Sequence, residues 1–284
     1  MPQSVDRLSA LLERFRVHAR LSFSGEMCGV HTFAKVENKA YLHVLRRGAM
    51  QVSHVKTKGV PARLTLNEPS LIFYPRPLTH HFHNAPRDGS DFTCAEIEFA
   101  GGWRHPLAQA LPPLVILPLA RVSGLNASLS LLFAETENVR CGHRVLADRL
   151  FEIVLIQLLR WLLDHPDEAK IDEGLLAGLS SPQLARALTA IHEAPSDDWT
   201  VDRLADLSAM SRTAFATTFK KVVGKPPAQY VADWRLALVQ ARLKEGATLK
   251  ALALDYGYSS QSALSRVFAQ RLGMSPRAWL NADT

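Results

Sequence analysis

Eight side chains able to hold a metal or carry redox chemistry fall between residues 28 and 94: Cys28, His31, His43, His54, His80, His81, His83 and Cys94. Alternation sorts them. In an extended chain from Thr79 to His83, His80 and Phe82 share one face and His81 and His83 the other, and the face carrying Phe82 is expected to point inward. His43 sits between Leu42 and Val44, an apolar setting in which a buried imidazole needs a partner. Cys28, His43, His80 and Cys94 then make a Cys2His2 set, the ligand types of tetrahedral zinc with bonds of about 2.0–2.3 Å. Two thiolates favour a closed site over the open His and carboxylate sites of metal enzymes. The alternative is four unrelated residues: a satisfied core histidine, a surface histidine and two small apolar cysteines.

Residues so dispersed converge only if strands carry them. Across residues 21–99, runs such as AYLHVL, MQVSHV, RLTL and SLIFYP alternate with RRG, Gly59–Pro61 and NEP breaks, which predicts a small antiparallel barrel or sandwich. After Gly101-Gly102 and the Pro-rich PLAQALPPLVILP stretch the period lengthens, and residues 127–135 and 145–163 read as helices. The second is apolar around most of its circumference, which fits either burial between domains or pairing with a second copy of the chain. His165-Pro166 ends it, and residues 167–181 read as a linker. The fold class is therefore α+β, with expected boundaries at 1–105, 106–183 and 184–284.

The 284 residues carry 33 Lys and Arg against 27 Asp and Glu, a net charge of +6. Residues 184–284 hold 13 of these cations and 9 of the acids, so most of the excess lies there and points to an anionic partner. No uninterrupted apolar run reaches about 18 residues, so no membrane span is expected. The opening MPQSVDRLSALLERFRVHAR is amphipathic, with Leu8, Leu11, Leu12 and Phe15 on one face, and lacks the features of a secretory signal. Three cysteines do not make a disulfide framework. A cytoplasmic location is expected.

The last hundred residues contain a repeat: LADLSAMSRTAFATTFKKVVGKPPAQYV, then LKALALDYGYSSQSALSRVFAQRLGMSPRAWL. Each copy reads as a short helix, a tight turn, a Ser cap, a helix with a central Phe, then Gly and Pro, which is a helix-turn-helix twice. In the first, residues 201–209 lead, Ser211 caps, and Phe215, Phe219 and Val222 form the inner stripe. Arg212, Thr213, Ala216, Thr217, Lys220 and Lys221 are left on the open face, short enough to approach bases or cationic enough to meet phosphates. In the second, residues 249–256 lead and Leu264, Phe268 and Leu272 face inward. Gln261, Ser262, Ser265 and Arg266 face out, where Gln matches adenine and Arg guanine. Residues 227–244 form a long helix between the copies.

The two repeat copies, with the Gly257-Tyr258…Gly273-Met274-Ser275-Pro276…Trp279 tail, resemble the DNA-binding domain of the AraC family of transcriptional regulators. Residues 21–100 resemble a cupin-type sensor domain through CGVH, LHVLRRG, FYPRPLTHHFHN and TCAEIEF. The resemblance implies a cupin-like β-barrel, a helical dimerisation segment and two helix-turn-helix motifs, with double-stranded promoter DNA as partner and a homodimer as the working form. It also includes a subgroup that responds to reactive chlorine species through cysteines at matching places, here Cys28 and Cys94, so that oxidation of zinc-bound thiolates would be the signal. A metal-dependent cupin enzyme and a barrel that binds a small molecule without metal are the competing expectations.

Overall fold

The computed structural model describes residues 5–84, 89–100, 105–122 and 124–282. It divides into two compact units, one formed by Arg16–Ile171 and the other by Met1–Phe15 together with Asp172–Thr284. The expected break at Gly101-Gly102 lies outside the described residues.

The chain opens with α1 (Ser9–Arg14), which belongs to the second unit. The first unit is built from nine antiparallel strands: β1 (Val17–Met27), β2 (Val30–Phe33), β3 (Lys39–Arg47), β4 (Met50–His54), β5 (Arg63–Leu66), β6 (Ser70–Tyr74), β7 (His80–His83), β8 (Ser90–Phe99) and β9 (Val115–Pro118). They form a five-stranded sheet in the order β1-β8-β3-β6-β9 and a four-stranded sheet in the order β2-β7-β4-β5. Among the described residues no strand of one sheet pairs with a strand of the other, so the unit is a sandwich and not the closed barrel expected from the sequence. The edges explain why. β5 lies between Pro61 and Pro69, and β9 follows Pro112-Pro113 and ends in Pro118, and proline cannot extend a ladder. At the other edge, the β1 amides of Leu21 and Ala19 donate to Asp148 and Glu152 at 2.6 and 3.4 Å. Those two acids belong to α4 (His143–Asp164), which so covers the edge that would otherwise seek another strand.

Between the sheets lie Met27, Tyr41, Leu45, Val52, Ile72, Tyr74, Phe82, Phe92 and Cys94. α2 (Pro106–Ala110) and α3 (Leu125–Glu137) complete the unit with α4. Both long helices fall where the lengthened period places them. Among the described residues no helix is long and apolar enough to cross a membrane.

The second unit holds α5 (Leu175–Ser180), α6 (Ala185–Glu193), α7 (Val201–Leu207), α8 (Arg212–Val223), α9 (Pro227–Lys244), α10 (Leu249–Asp255), α11 (Gln261–Leu272) and α12 (Pro276–Ala282). Part of the expected linker is thus α5, which is fully engaged. A Cβ on Gly178 would lie 2.6 Å from Leu188 and 3.0 Å from Val223, so only glycine lets α5 close on its neighbours here. α1 is started by Asp6, whose carboxylate accepts from the amides of Leu8 and Ser9. Its Leu8, Leu11 and Phe15 are buried, and the Phe15 ring stands edge-on to Trp234 at 5.1 Å. Arg14 donates to the carbonyl of Glu193 at 2.6 Å, satisfying an orphan acceptor at the end of α6.

Candidate nucleic-acid interface and the buried thiol relay

The two helix pairs of the second unit repeat each other down to their caps. Thr200 and Thr248 accept from the amides of Arg203 and Ala251, starting α7 and α10. Ser211 and Ser260 do the same for α8 and α11 through Ala214 and Ala263, at 3.3 and 3.1 Å. α8 and α11 both run 12 residues and end on a glycine with positive φ, Gly224 at 83° and Gly273 at 73°. Both turns are also closed alike, Met210 donating to the Ala205 carbonyl and Tyr258 to that of Ala253. Ala209, with φ 49°, fills the left-handed position that Gly257 fills in the second pair.

Phe215, Phe219 and Val223 are buried in α8, and Leu264 and Phe268 in α11. Val223 takes the place expected of Val222, which is half-buried with Leu272. Of the expected readers, Arg212, Thr213, Thr217, Lys220, Lys221, Gln261, Ser262 and Arg266 are exposed, and Ala216 and Ser265 are half-buried. Ala216, Thr217, Lys220, Lys221, Pro226 and Pro227 surround a hollow of about 530 Å³ against α8. Lys220, Lys221 and Arg266 make no ion pair among the described residues, whereas Arg212 is held by Asp202 at 2.9 Å. That partner escaped sequence reasoning because an ion pair ten positions apart across a turn leaves no local signature. The Thr200 and Thr248 caps, by contrast, were readable as hydroxyls placed before an apolar run.

In the sandwich, three of the four expected metal ligands meet. His43 is paired across the sheet with Cys94. Its Nδ1 lies 2.9 Å from Cys94 Sγ and its Nε2 2.9 Å from His80 Nε2. His80 Nδ1 lies 2.9 Å from the carbonyl of Leu78, which can only accept. That contact assigns every proton: His80 carries its hydrogen on Nδ1, His43 donates from Nε2 to the bare Nε2 of His80, and the Cys94 thiol donates to His43 Nδ1. The groups form a line of three hydrogen bonds, all neutral, which a metal on either ring would have to displace. Burial lowers the pKa of His43 well below the usual value, with His80 adding to it. Burial takes His80 down to about 3 and pushes the Cys94 thiol up. His80 is stacked on Tyr74 at 3.9 Å, and the Tyr74 hydroxyl donates to His54, which donates in turn to the Pro61 carbonyl.

The fourth expected ligand is elsewhere. Cys28 follows the end of β1, where Met27 pairs with Ser90, and Cys94 stands four residues further along β8, about 13 Å of strand away. A disulfide requires Cα atoms within about 7 Å, so a direct Cys28–Cys94 bridge needs the backbone to move. Among the described residues no group of three or more His, Cys, Asp or Glu side chains is arranged to hold a metal. His31 bonds the Cys28 carbonyl. His81 and His83 point away from the core to Thr32 and Ser53, as alternation requires. All three cysteines are free, Cys28 and Cys141 exposed and Cys94 buried. Alkylation of the native protein should therefore label Cys28 and Cys141 within minutes and Cys94 only after unfolding, read by peptide mass spectrometry; rapid labelling of Cys94 would show that the relay opens.

The described residues thus form a nine-stranded sandwich and a unit with two capped helix pairs. Residues 6–164 match the family model described as cupin, and residues 204–282 match that of a helix-turn-helix domain. The chain is 32% identical over 95% of both chains to a putative AraC-like transcription regulator of Streptomyces antibioticus. It is 22% identical to the RCS-specific HTH-type transcriptional activator RclR of Escherichia coli K12, over 82% of this chain and 81% of that one. Among solved structures, the DNA-binding domain of AdpA in complex with a target DNA is 31% identical, covering 36% of this chain and 93% of that one, with a TM-score of 0.33. The chain belongs to the AraC family of DNA-binding transcriptional regulators and carries an N-terminal cupin domain. The relatives it matches are named as transcription regulators.

Proposed function

We propose that the protein reads promoter DNA sequence-specifically with α8 and α11 together, as a homodimer in the cytoplasm, and that its cupin sandwich receives the signal. The duplicated cap, turn and glycine pattern carries this reading, because two equal 12-residue helices expose small, hydroxyl and cationic side chains. Successive major-groove segments on one face of DNA lie about 34 Å apart, and α9, an 18-residue helix about 27 Å long, is a spacer of the right order. Exposed Val145, Leu146 and Ile153 on α4 support pairing of two copies.

Oxidant sensing is the signal that likeness to RclR favours, and that likeness is distant. A neutral, buried Cys94 favours a packing role for the relay, leaving Cys28 and Cys141 as the exposed thiols of the cupin unit. Zinc on Cys28, His43, His80 and Cys94 would require β1 and β8 to slip and His43 to surrender a hydrogen bond; metal analysis of purified protein measures it directly.

The DNA reading is tested with the full chain on duplex DNA from its own upstream region. Affinity should fall steeply with salt, as phosphate neutralisation requires. Arg266→Ala should cost about 1–3 kcal/mol and relax preference at one base position, whereas Lys220→Ala should weaken all sequences alike and lower the salt slope by about one. A uniform loss in Arg266→Ala would make it a phosphate contact, and binding indifferent to salt would overturn the reading.

A further inference from the structure

α9 is the element on which both helix pairs are mounted, and two points along it hold them. Asp233 is the first. Its Oδ2 accepts from Lys225 Nζ at 2.8 Å and its Oδ1 from Arg271 at 3.0 Å. Lys225 directly follows Gly224, the cap that ends α8, and Arg271 lies in the last turn of α11. One carboxylate thus ties the C-terminal ends of both reading helices to a single place on α9.

Arg235 is the second point. It donates to the carbonyls of Pro195 and Asp197 at 2.6 and 2.7 Å, gripping the loop that precedes α7. A Cβ on Gly257 would lie 2.6 Å from the Ser196 carbonyl and 3.2 Å from Arg235, so the turn of the second pair closes against that same loop. Residues two apart project from nearly opposite sides of a helix. The two attachments therefore straddle the α9 axis and resist rotation of one pair against the other.

We propose that Asp233 is a spacing-determining residue: it fixes how far apart α8 and α11 read on DNA without touching DNA itself. The proposal rests on the reading that both helices enter the major groove. A tilt of about 10° acting over a lever of about 20 Å moves the far reader by about 3.4 Å, one base step. The carboxylate and its two cations are each about one-third exposed. Two bonds of this exposed kind together correspond to about a tenfold preference for one geometry over its neighbours. That suffices to select a spacing, and it is small enough that the fold does not depend on it.

The test is selection of binding sites by the full chain from a randomised duplex library, comparing wild type with Asp233→Ala, Asp233→Asn and Arg271→Met. Wild type is expected to enrich two sequence blocks at one separation. Asp233→Ala should enrich the same blocks at that separation and one base pair to either side, with the preference reduced about tenfold. Arg271→Met, which cuts only the tie to α11, should give a similar but smaller spread, with the preference reduced about threefold. Asp233→Asn removes the charge but keeps an acceptor, so it separates geometry from field: it should retain more of the spacing preference than alanine while binding all separations more tightly. An unchanged single separation in Asp233→Ala, or an equal change at every separation, overturns the proposal while leaving DNA reading intact. Enrichment of no duplex by wild type overturns the DNA reading and this inference with it.

Discussion

Phe15→Ala should destabilise the helical unit by about 3–5 kcal/mol, the range for truncating a fully buried phenylalanine, although residue 15 lies far in sequence from everything it supports. The ring is 2% exposed and meets Trp234 edge-on. Leu8 and Leu11 are buried beside it, and Arg14 holds the end of α6. A helix of six residues does not persist alone in water, so α1 owes its structure to this packing and loses it with the ring. Urea unfolding followed by tryptophan emission measures the effect, because Trp199, Trp234 and Trp279 all lie in this unit. A loss below about 1 kcal/mol, the scale of a surface change, would mean that α1 is not part of it. The same packing means that a fragment starting at residue 184 lacks both α1 and α5, and it should be far less stable than the full chain.

The elements legible from sequence are those whose signal is local. β3, β4, β5 and β6 lie where alternation and turn residues place them, and α8, α9 and α11 begin and end at their Ser, Pro and Gly signals. His80 and Phe82 face inward and His81 and His83 outward, because the period of a strand decides sidedness. Distance along a sheet is not local, and that is where Cys28 went astray. Its type matched Cys94, but only the register of β1 on β8 shows that it lies past the end of the strand. The closed barrel failed for a similar reason: whether edges meet depends on what covers them, and Asp148 and Glu152 reach β1 from a helix more than a hundred residues away in sequence. α5 was hidden because six apolar or small residues between Gly174 and Ser181-Pro182 are too few to establish a helical period. The relay was half legible. The need of His43 for a partner follows from its apolar neighbours; that a thiol on one side and an imidazole on the other would satisfy it, and so consume the sites a metal would use, follows only from pairing.

A second large effect is expected from acid, through His192. This imidazole is 1% exposed, lies 4.0 Å from the Trp234 ring, and its Nε2 is 2.6 Å from the Tyr230 hydroxyl. Burial, with the charge of Arg14 adding to it, lowers its pKa to about 3. The unfolded chain titrates near pH 6.5. Above that pH neither state is charged and the stability is complete. As pH falls through 6.5 the unfolded state takes up a proton that the native state refuses, and stability drops by about 1.4 kcal/mol per unit until the native group titrates near 3. Between pH 6.5 and 4.5 the loss is about 2.3 kcal/mol. His192→Gln should remove this limb, so its urea midpoint should vary less with pH than that of wild type; parallel curves from pH 7 to 4.5 would show that the native imidazole takes up its proton as readily as the unfolded one. The two large effects are also coupled. Releasing α1 withdraws the Arg14 cation and opens the pocket to water, and both changes let His192 accept a proton more easily. The Phe15→Ala penalty should therefore be smaller at pH 4.5 than at pH 7, and a penalty that grew on acidification would separate α1 from His192.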